Sequence, residues 1–435
     1  MKRKWIGFVV LAMAVILLYG CSSTVYEMYR LPKRSEEFTN LQSIMDQVMV
    51  GLEYCAPISG ENQQTVQMAD LNGDGINEHI LFAKGTSDKP LQIFIFTENG
   101  DEYILADTIS CNGSAFEQVE YVRMNGKPGY EMVVGSQVSD QVVRSVSVYT
   151  MVDGVMEQIL TTNYSKFICN DLNSDAMAEL MILRPGDTDS DNGIAELYSF
   201  AEGEMSRSAQ VNMSAPADKI KRIILGRLEG GRSAVFVASD VLGSAIITDV
   251  YAVIDGTFSN VSFSNESGTS VQTLRNYYVY ADDIDSDGVL ELPSLISMPA
   301  ESAGDQHIIR WYSMMPDGTE VDKMYTYHNF VGGWYLQLDN ELASRFSVVQ
   351  KGNSYEFSIF DDKKSTTEKL MTIYMFTGQK REEMAQEDNR FVVFRDESVI
   401  FAANLEVASA AYNMTKGSLT NAFHLILQDW KTGET

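Results

Sequence analysis

Apolar and polar positions alternate in short runs from about residue 60 to residue 330, and the runs recur in one order. An alternating stretch ends in an aromatic and is followed by a glycine hairpin five times: Phe96 before Asn99-Gly100, Tyr149 before Asp153-Gly154, Tyr198 before Glu202-Gly203, Tyr251 before Asp255-Gly256, and Tyr312 before Asp317-Gly318. Asn-Gly and Asp-Gly tolerate positive φ at both central positions, which tight hairpins need. Ahead of each hairpin lies a compact apolar run: Ile80–Ala83, Met132–Val134, Leu180–Leu183, Val235–Val237, and a run from Leu292 onward. Each unit therefore reads as strand, loop, strand, strand, hairpin, strand. Short strands with turn signals at even spacing predict an all-β architecture. Residues 37–53 have helical periodicity.

Three of the loops carry one acidic pattern, D-x-[D/N]-x-D-x-x-x-E. They are Asp70, Asn72, Asp74 and Glu78; Asp171, Asn173, Asp175 and Glu179; and Asp283, Asp285, Asp287 and Glu291. Their starts lie about 100 residues apart, which implies a unit of about half that length with weaker copies between. Gly126–Glu131 and Gly230–Ala234 fill those places; they read as turns that have lost the acidic ladder. Calcium takes about six to eight oxygen ligands. Acids at positions 1, 3 and 5 of a tight loop can surround one ion, and a ninth-position carboxylate can close the shell. Gly75 and Gly288 stand at position 6, where the chain must turn sharply, and Ala176 stands there in the second loop. An EF-hand or dockerin loop needs an acid at position 12, where this chain has Leu81, Ile182 and Ser294. Loops that merely turn are the alternative, since Asp, Asn and Gly form turns without metal. Ligand charge and turn geometry rank the third loop first, the first second and the second last. Asp187–Gly193 has a similar look, but its Glu196 comes one residue late, and it reads as a solvated loop.

Units of four antiparallel strands repeated radially make a β-propeller. The D-x-[D/N]-x-D loop followed by an apolar strand resembles the FG-GAP/VCBS repeat family, over about residues 60–330. The resemblance implies a mainly β fold: a propeller of about five to seven four-stranded blades with structural Ca2+ in the acidic loops. Residues 331–435 break the repeat. They hold five strand-like runs and two helical ones, Gln379–Gln386 with Thr377 as a start and Leu419–Gln428 with Ser418 as its cap. They are expected to form a separate, smaller α+β C-terminal domain.

The N-terminus supplies an address. Lys2, Arg3 and Lys4 precede an uncharged apolar stretch from Trp5 to Tyr19, shorter than the ~20 residues a spanning helix needs. Leu18-Tyr19-Gly20-Cys21 resembles a bacterial lipobox, which implies a lipoprotein signal peptide over 1–20 and acyl chains on Cys21. Residues 21–59 then form a tether and the N-terminal helix. Cys55, Cys111 and Cys169 cannot all pair among themselves and are expected as free thiols.

Composition narrows the function. The chain has 435 residues and a formal charge of −27, the wrong sign for holding nucleic-acid phosphates. Four histidines and four cysteines leave little for zinc, whereas 60 acidic residues suit an oxygen-ligand metal. No G-x-S-x-G elbow, phosphate loop or H-E-x-x-H occurs. The expected function is that of a membrane-anchored, calcium-binding protein on the extracytoplasmic face of the membrane. It would be non-catalytic, binding a cell-surface protein or glycan or acting as a scaffold. The alternative is a propeller-based hydrolase or lyase of extracellular polysaccharide, whose paired carboxylates would meet only in the fold.

Overall fold

The computed structural model describes residues 36–100, 102–138, 144–186, 192–201, 203–241, 243–296, 298, 306–361 and 366–426. The expected signal segment, Cys21, most of the expected tether and the acidic run 187–191 lie outside the described residues. Among the described residues, no helix is long and apolar enough to cross a membrane.

Among the described residues the chain is mainly β, in six antiparallel sheets that follow one another along the sequence. Sheet I contains β1 (Glu53–Tyr54), β2 (Val66–Ala69), β3 (Glu78–Lys84), β4 (Leu91–Asn99) and β5 (Glu102–Cys111). Sheet II contains β6 (Ala115–Val122), β7 (Glu131–Gln137), β8 (Arg144–Val152) and β9 (Val155–Tyr164). Sheet III is β10 (Lys166–Asn170), β11 (Glu179–Arg184), β12 (Ile194–Ala201) and β13 (Glu204–Asn212). Sheet IV is β14 (Ile220–Arg227), β15 (Ser233–Val241), β16 (Ala245–Ile254) and β17 (Thr257–Asn260). Sheet V begins with β18 (Leu292–Ile296), β19 (Gln306–Met314) and β20 (Glu320–Asn329).

The hairpins fall where the sequence puts them. Asp153 and Gly154 (φ 50° and 80°) join β8 to β9, and Asp255 and Gly256 (φ 49° and 78°) join β16 to β17, both with the double positive φ of a type I′ turn.

Strands β3, β7, β11 and β15 are apolar runs because both of their faces are covered. Side chains alternate across a strand, so neighbours serve different cores. Met132 and Val134 pack with Ile80, Phe82 and Ile93 of sheet I, while Val133 packs with Leu180 and Ile182 of sheet III. The same sharing joins sheet III to IV through Leu183, Val235 and Tyr251, and IV to V through Phe236, Leu292 and Tyr312. Helix α1 (Glu36–Val48) covers the outer face of sheet I with Leu41 and Met45 against Leu81 and Phe94.

The boundary expected at 330/331 runs through a sheet. Strand β21 (Trp334–Leu338) pairs with β20, and β27 (Phe423–Leu425), near the end of the described chain, pairs with β21 as a fifth strand of sheet V. The strands between them, β22 (Phe346–Lys351), β23 (Ser354–Asp361), β24 (Thr366–Thr377), β25 (Phe391–Arg395) and β26 (Val399–Leu405), make sheet VI. The cause is aromatic packing. Trp334 is fully buried and sits 5.4 Å from Tyr327, 6.1 Å from Phe401 and 5.2 Å from Phe423, so one core spans the expected division. The tail is thus largely strand. Its first expected helix is shorter, Arg381–Gln386, without a cap from Thr377. The second begins earlier, at Lys416, capped by Thr415 in a reciprocal pair with Ser418, and ends at Ala422, where the chain turns into β27.

Candidate metal centre

Loop 70–78 joins β2 to β3, loop 171–179 joins β10 to β11, and loop 283–291 leads into β18. Glu78 opens β3, Glu179 opens β11, and Glu291 directly precedes β18. All three are buried. Each accepts, through Oε2, the backbone N–H of loop position 2: Leu71 at 2.8 Å, Leu172 at 2.9 Å and Ile284 at 3.1 Å. The ninth-position carboxylate is therefore a staple that closes the loop, whatever else it holds.

In the first two loops the other oxygen is also engaged. The Asn72 amide donates to Glu78 Oε1 at 2.7 Å and to Asp74 Oδ2 at 3.1 Å. The Asn173 amide donates to Glu179 Oε1 at 2.6 Å and to Asp175 Oδ2 at 3.0 Å. Position 1 serves the turn: Asp70 accepts from the N–H groups of Gly73 and Gly75 at 2.7 and 3.0 Å, and Asp171 from Ser174 and Ala176 at 2.7 and 3.0 Å. Gly75 has φ 88°, and Ala176 takes φ 67° at the same place, a conformation that costs a side-chain-bearing residue energy. Burial is the main reason the Glu78 and Glu179 carboxyls titrate above the usual range.

The third loop departs from this scheme. Position 3 is Asp285, which has no hydrogen to give, and Glu291 Oε1 is buried without a hydrogen-bond partner. Oxygens of Asp283, Asp285 and Asp287 gather within 4.8 Å of one another. Asp283 accepts from the N–H groups of Asp287 and Gly288 at 2.9 and 3.0 Å, and Asp287 from Val289 at 2.8 Å. Burial, with Asp285 and Asp287 adding repulsion, pushes the Glu291 carboxyl up to about 8. A buried carboxylate oxygen without a donor, beside three crowded carboxylates, fits a cation with oxygen coordination. The residues present therefore suit calcium best at 283–291.

Two neighbours of this loop escaped sequence reasoning. Lys323, on β20, places Nζ 2.7 Å from Asp287 Oδ2 and 2.6 Å from Glu229 Oε1. Nothing in the loop's spacing points to residues so distant in the chain. A third omission could have been found. The turn before β7 keeps Asn125 and Glu131 six residues apart, as in 72–78 and 173–179. Glu131 accepts from Met124 N–H at 2.7 Å and from the Asn125 amide at 2.5 Å. That copy has lost its aspartates but not its staple. Glu196 sits mid-strand, buried between Arg184 and Arg207 at 2.5 Å each, and does not belong to a loop.

The three cysteines Cys55, Cys111 and Cys169 are free, and burial raises the thiols of Cys111 and Cys169. Three surface depressions of about 550, 380 and 210 Å³ are lined along α1, beside β8, and around Leu336 and Met371; their acidic linings are Asp46, none, and Asp339 respectively.

No family model and no curated protein matches the chain. Among solved structures, a rhamnogalacturonan lyase PL11 of Bacillus licheniformis is similar at 12% identity over 73% of this chain and 72% of that one, with a TM-score of 0.29. The rhamnogalacturonan lyase YesW is similar at 10% identity over 74% of this chain and 67% of that one, also with a TM-score of 0.29.

Proposed function

We propose that the chain is a calcium-binding β-propeller lipoprotein of the FG-GAP/VCBS type. Acyl chains on Cys21 would hold it on the extracytoplasmic face of the membrane, where it serves as a non-catalytic binding or scaffold protein for a cell-surface protein or glycan. The observation that carries the reading is the third loop, in which Asp283, Asp285 and Asp287 crowd beside the partnerless Glu291 oxygen. Six consecutive sheets, each of the first five sharing a core with the next, agree with radial repetition. Calcium here is structural: it neutralises acids between two strands of a chain that is already strongly anionic. Loops 70–78 and 171–179 would bind more weakly, in that order.

The experiment is a melting curve of the full-length protein with and without calcium, joined to membrane fractionation of Cys21→Ala. A calcium-dependent rise in melting temperature and release of the variant, or its retention as unprocessed precursor, are expected. No calcium effect, or retention of Cys21→Ala at the processed mass, would remove the corresponding half of the proposal.

A further inference from the structure

The third loop differs from the other two in the cation that already sits on it. In the first loop Asp74 Oδ2 receives the Asn72 amide, and in the second Asp175 Oδ2 receives the Asn173 amide. In the third loop Asp285 has replaced the asparagine, and the matching oxygen, Asp287 Oδ2, receives the Lys323 ammonium at 2.7 Å instead. Lys323 restores only one of the two bonds the asparagine would make; the other, to Glu291 Oε1, is left unmade.

Lys323 has a second seat. Its Nζ lies 2.6 Å from Glu229 Oε1, in the turn between β14 and β15. Glu229 is tied to sheet V by Ser313 Oγ, which donates to its carboxylate at 2.8 Å, and by its own N–H, which donates to Met314 O at 2.9 Å. Thr97 and Thr150, one residue past the strand aromatic as Ser313 is, donate instead to Glu78 and Glu131 at 3.2 and 3.0 Å. Ser313 is thus diverted from the ninth-position glutamate to Glu229, the carboxylate that shares the lysine.

We infer that Lys323 is a built-in competitor of calcium at loop 283–291, leaving Asp287 for Glu229 alone when the ion binds. This rests on the calcium reading above. An ammonium and a divalent cation need the same Asp287 lone pairs, and two cations on one carboxylate repel. Lys323 therefore lowers the affinity of the loop that has the most ligand charge. Ion occupancy is passed to the Glu229 turn, where sheets IV and V meet.

The test is calorimetric titration of CaCl2 into the full-length protein in detergent, wild type against Lys323→Met, which keeps an apolar stem of similar length. Calcium affinity at least about tenfold tighter is expected in the variant. Equal or weaker binding by a folded variant, with the wild type binding, overturns the competitor role and leaves the calcium site standing. No binding by either overturns both. Should the variant fold poorly, wild-type crystals grown in calcium decide. Nζ should lie more than about 4 Å from Asp287 Oδ2, beyond ion-pair distance, and remain on Glu229. An ion in the loop with Nζ still on Asp287 would overturn the inference.

Discussion

Asp285 stands beside Glu291 where Asn72 stands beside Glu78, and this exchange removes the hydrogen that would have satisfied Glu291 Oε1. The third loop is therefore the one whose internal bonding is incomplete without a cation. The other two close on themselves.

Glu291→Gln should stabilise the calcium-free protein at neutral pH, by about 1–3 kcal/mol, because folding no longer has to protonate or desolvate a carboxyl raised to about 8, while the glutamine carbonyl can still accept from Ile284. The same variant should lose most of the calcium-induced rise in melting temperature. Urea unfolding with and without calcium measures both.

Among aspartate variants, Asp287→Ala should lose most of the calcium-dependent shift and Asp175→Ala least. A larger loss from Asp175→Ala in parallel calorimetric titrations would reverse the ranking of the loops.

Glu131→Ala should cost about 1–3 kcal/mol of stability, since it strands the Met124 N–H and the Asn125 amide. Calcium titration of this variant should match the wild type, because its loop has no aspartates. Denaturant midpoints separate the staple from the metal.

Trp334→Ala should destabilise the protein by about 3–5 kcal/mol, as it empties a core shared by sheets V and VI. Val331 is highly exposed, so proteases should nick the chain at Val331–Gly333. The two pieces should nonetheless elute together, held by β20–β21 pairing and the aromatic cluster. Size-exclusion chromatography after nicking tests this.

His328 supplies a pH dependence. It is fully buried on β20, stacked on Tyr335 at 5.1 Å with Nε2 2.9 Å from Thr326 Oγ1, and burial, with His307 adding, depresses it to about 3. The unfolded chain takes up a proton near the ordinary value of 6.5 and the folded one does not. The contribution of the neutral ring is complete above 6.5 and is lost as pH falls toward 3. His328→Gln should flatten the fall in unfolding free energy between pH 6.5 and 4, measured by urea titration, by up to about 1.4 kcal/mol per pH unit.

The hairpins, the apolar strands and the three acidic loops could be read from the sequence because each is local. Positive-φ residues mark turns, and period-two runs mark strands. The tail could not be placed this way. Trp334 begins an alternating run like any other, and only its packing against Tyr327 and Phe423 assigns it to sheet V. Likewise the ligand roles of Glu78 and Glu179 rested on spacing, which cannot show that both oxygens already hold hydrogen bonds. Lys323 and Glu229 reach the third loop from other strands, so no loop pattern contains them. Asn125 and Glu131 were within reach, hidden by the loss of the aspartates around them.

The most direct test is the anomalous difference density of a crystal grown in calcium. One strong peak is expected in loop 283–291, with Asp283, Asp285, Asp287 and Glu291 oxygens at about 2.3–2.6 Å. An empty third loop at millimolar calcium, or a peak in loop 171–179 alone, would contradict this expectation.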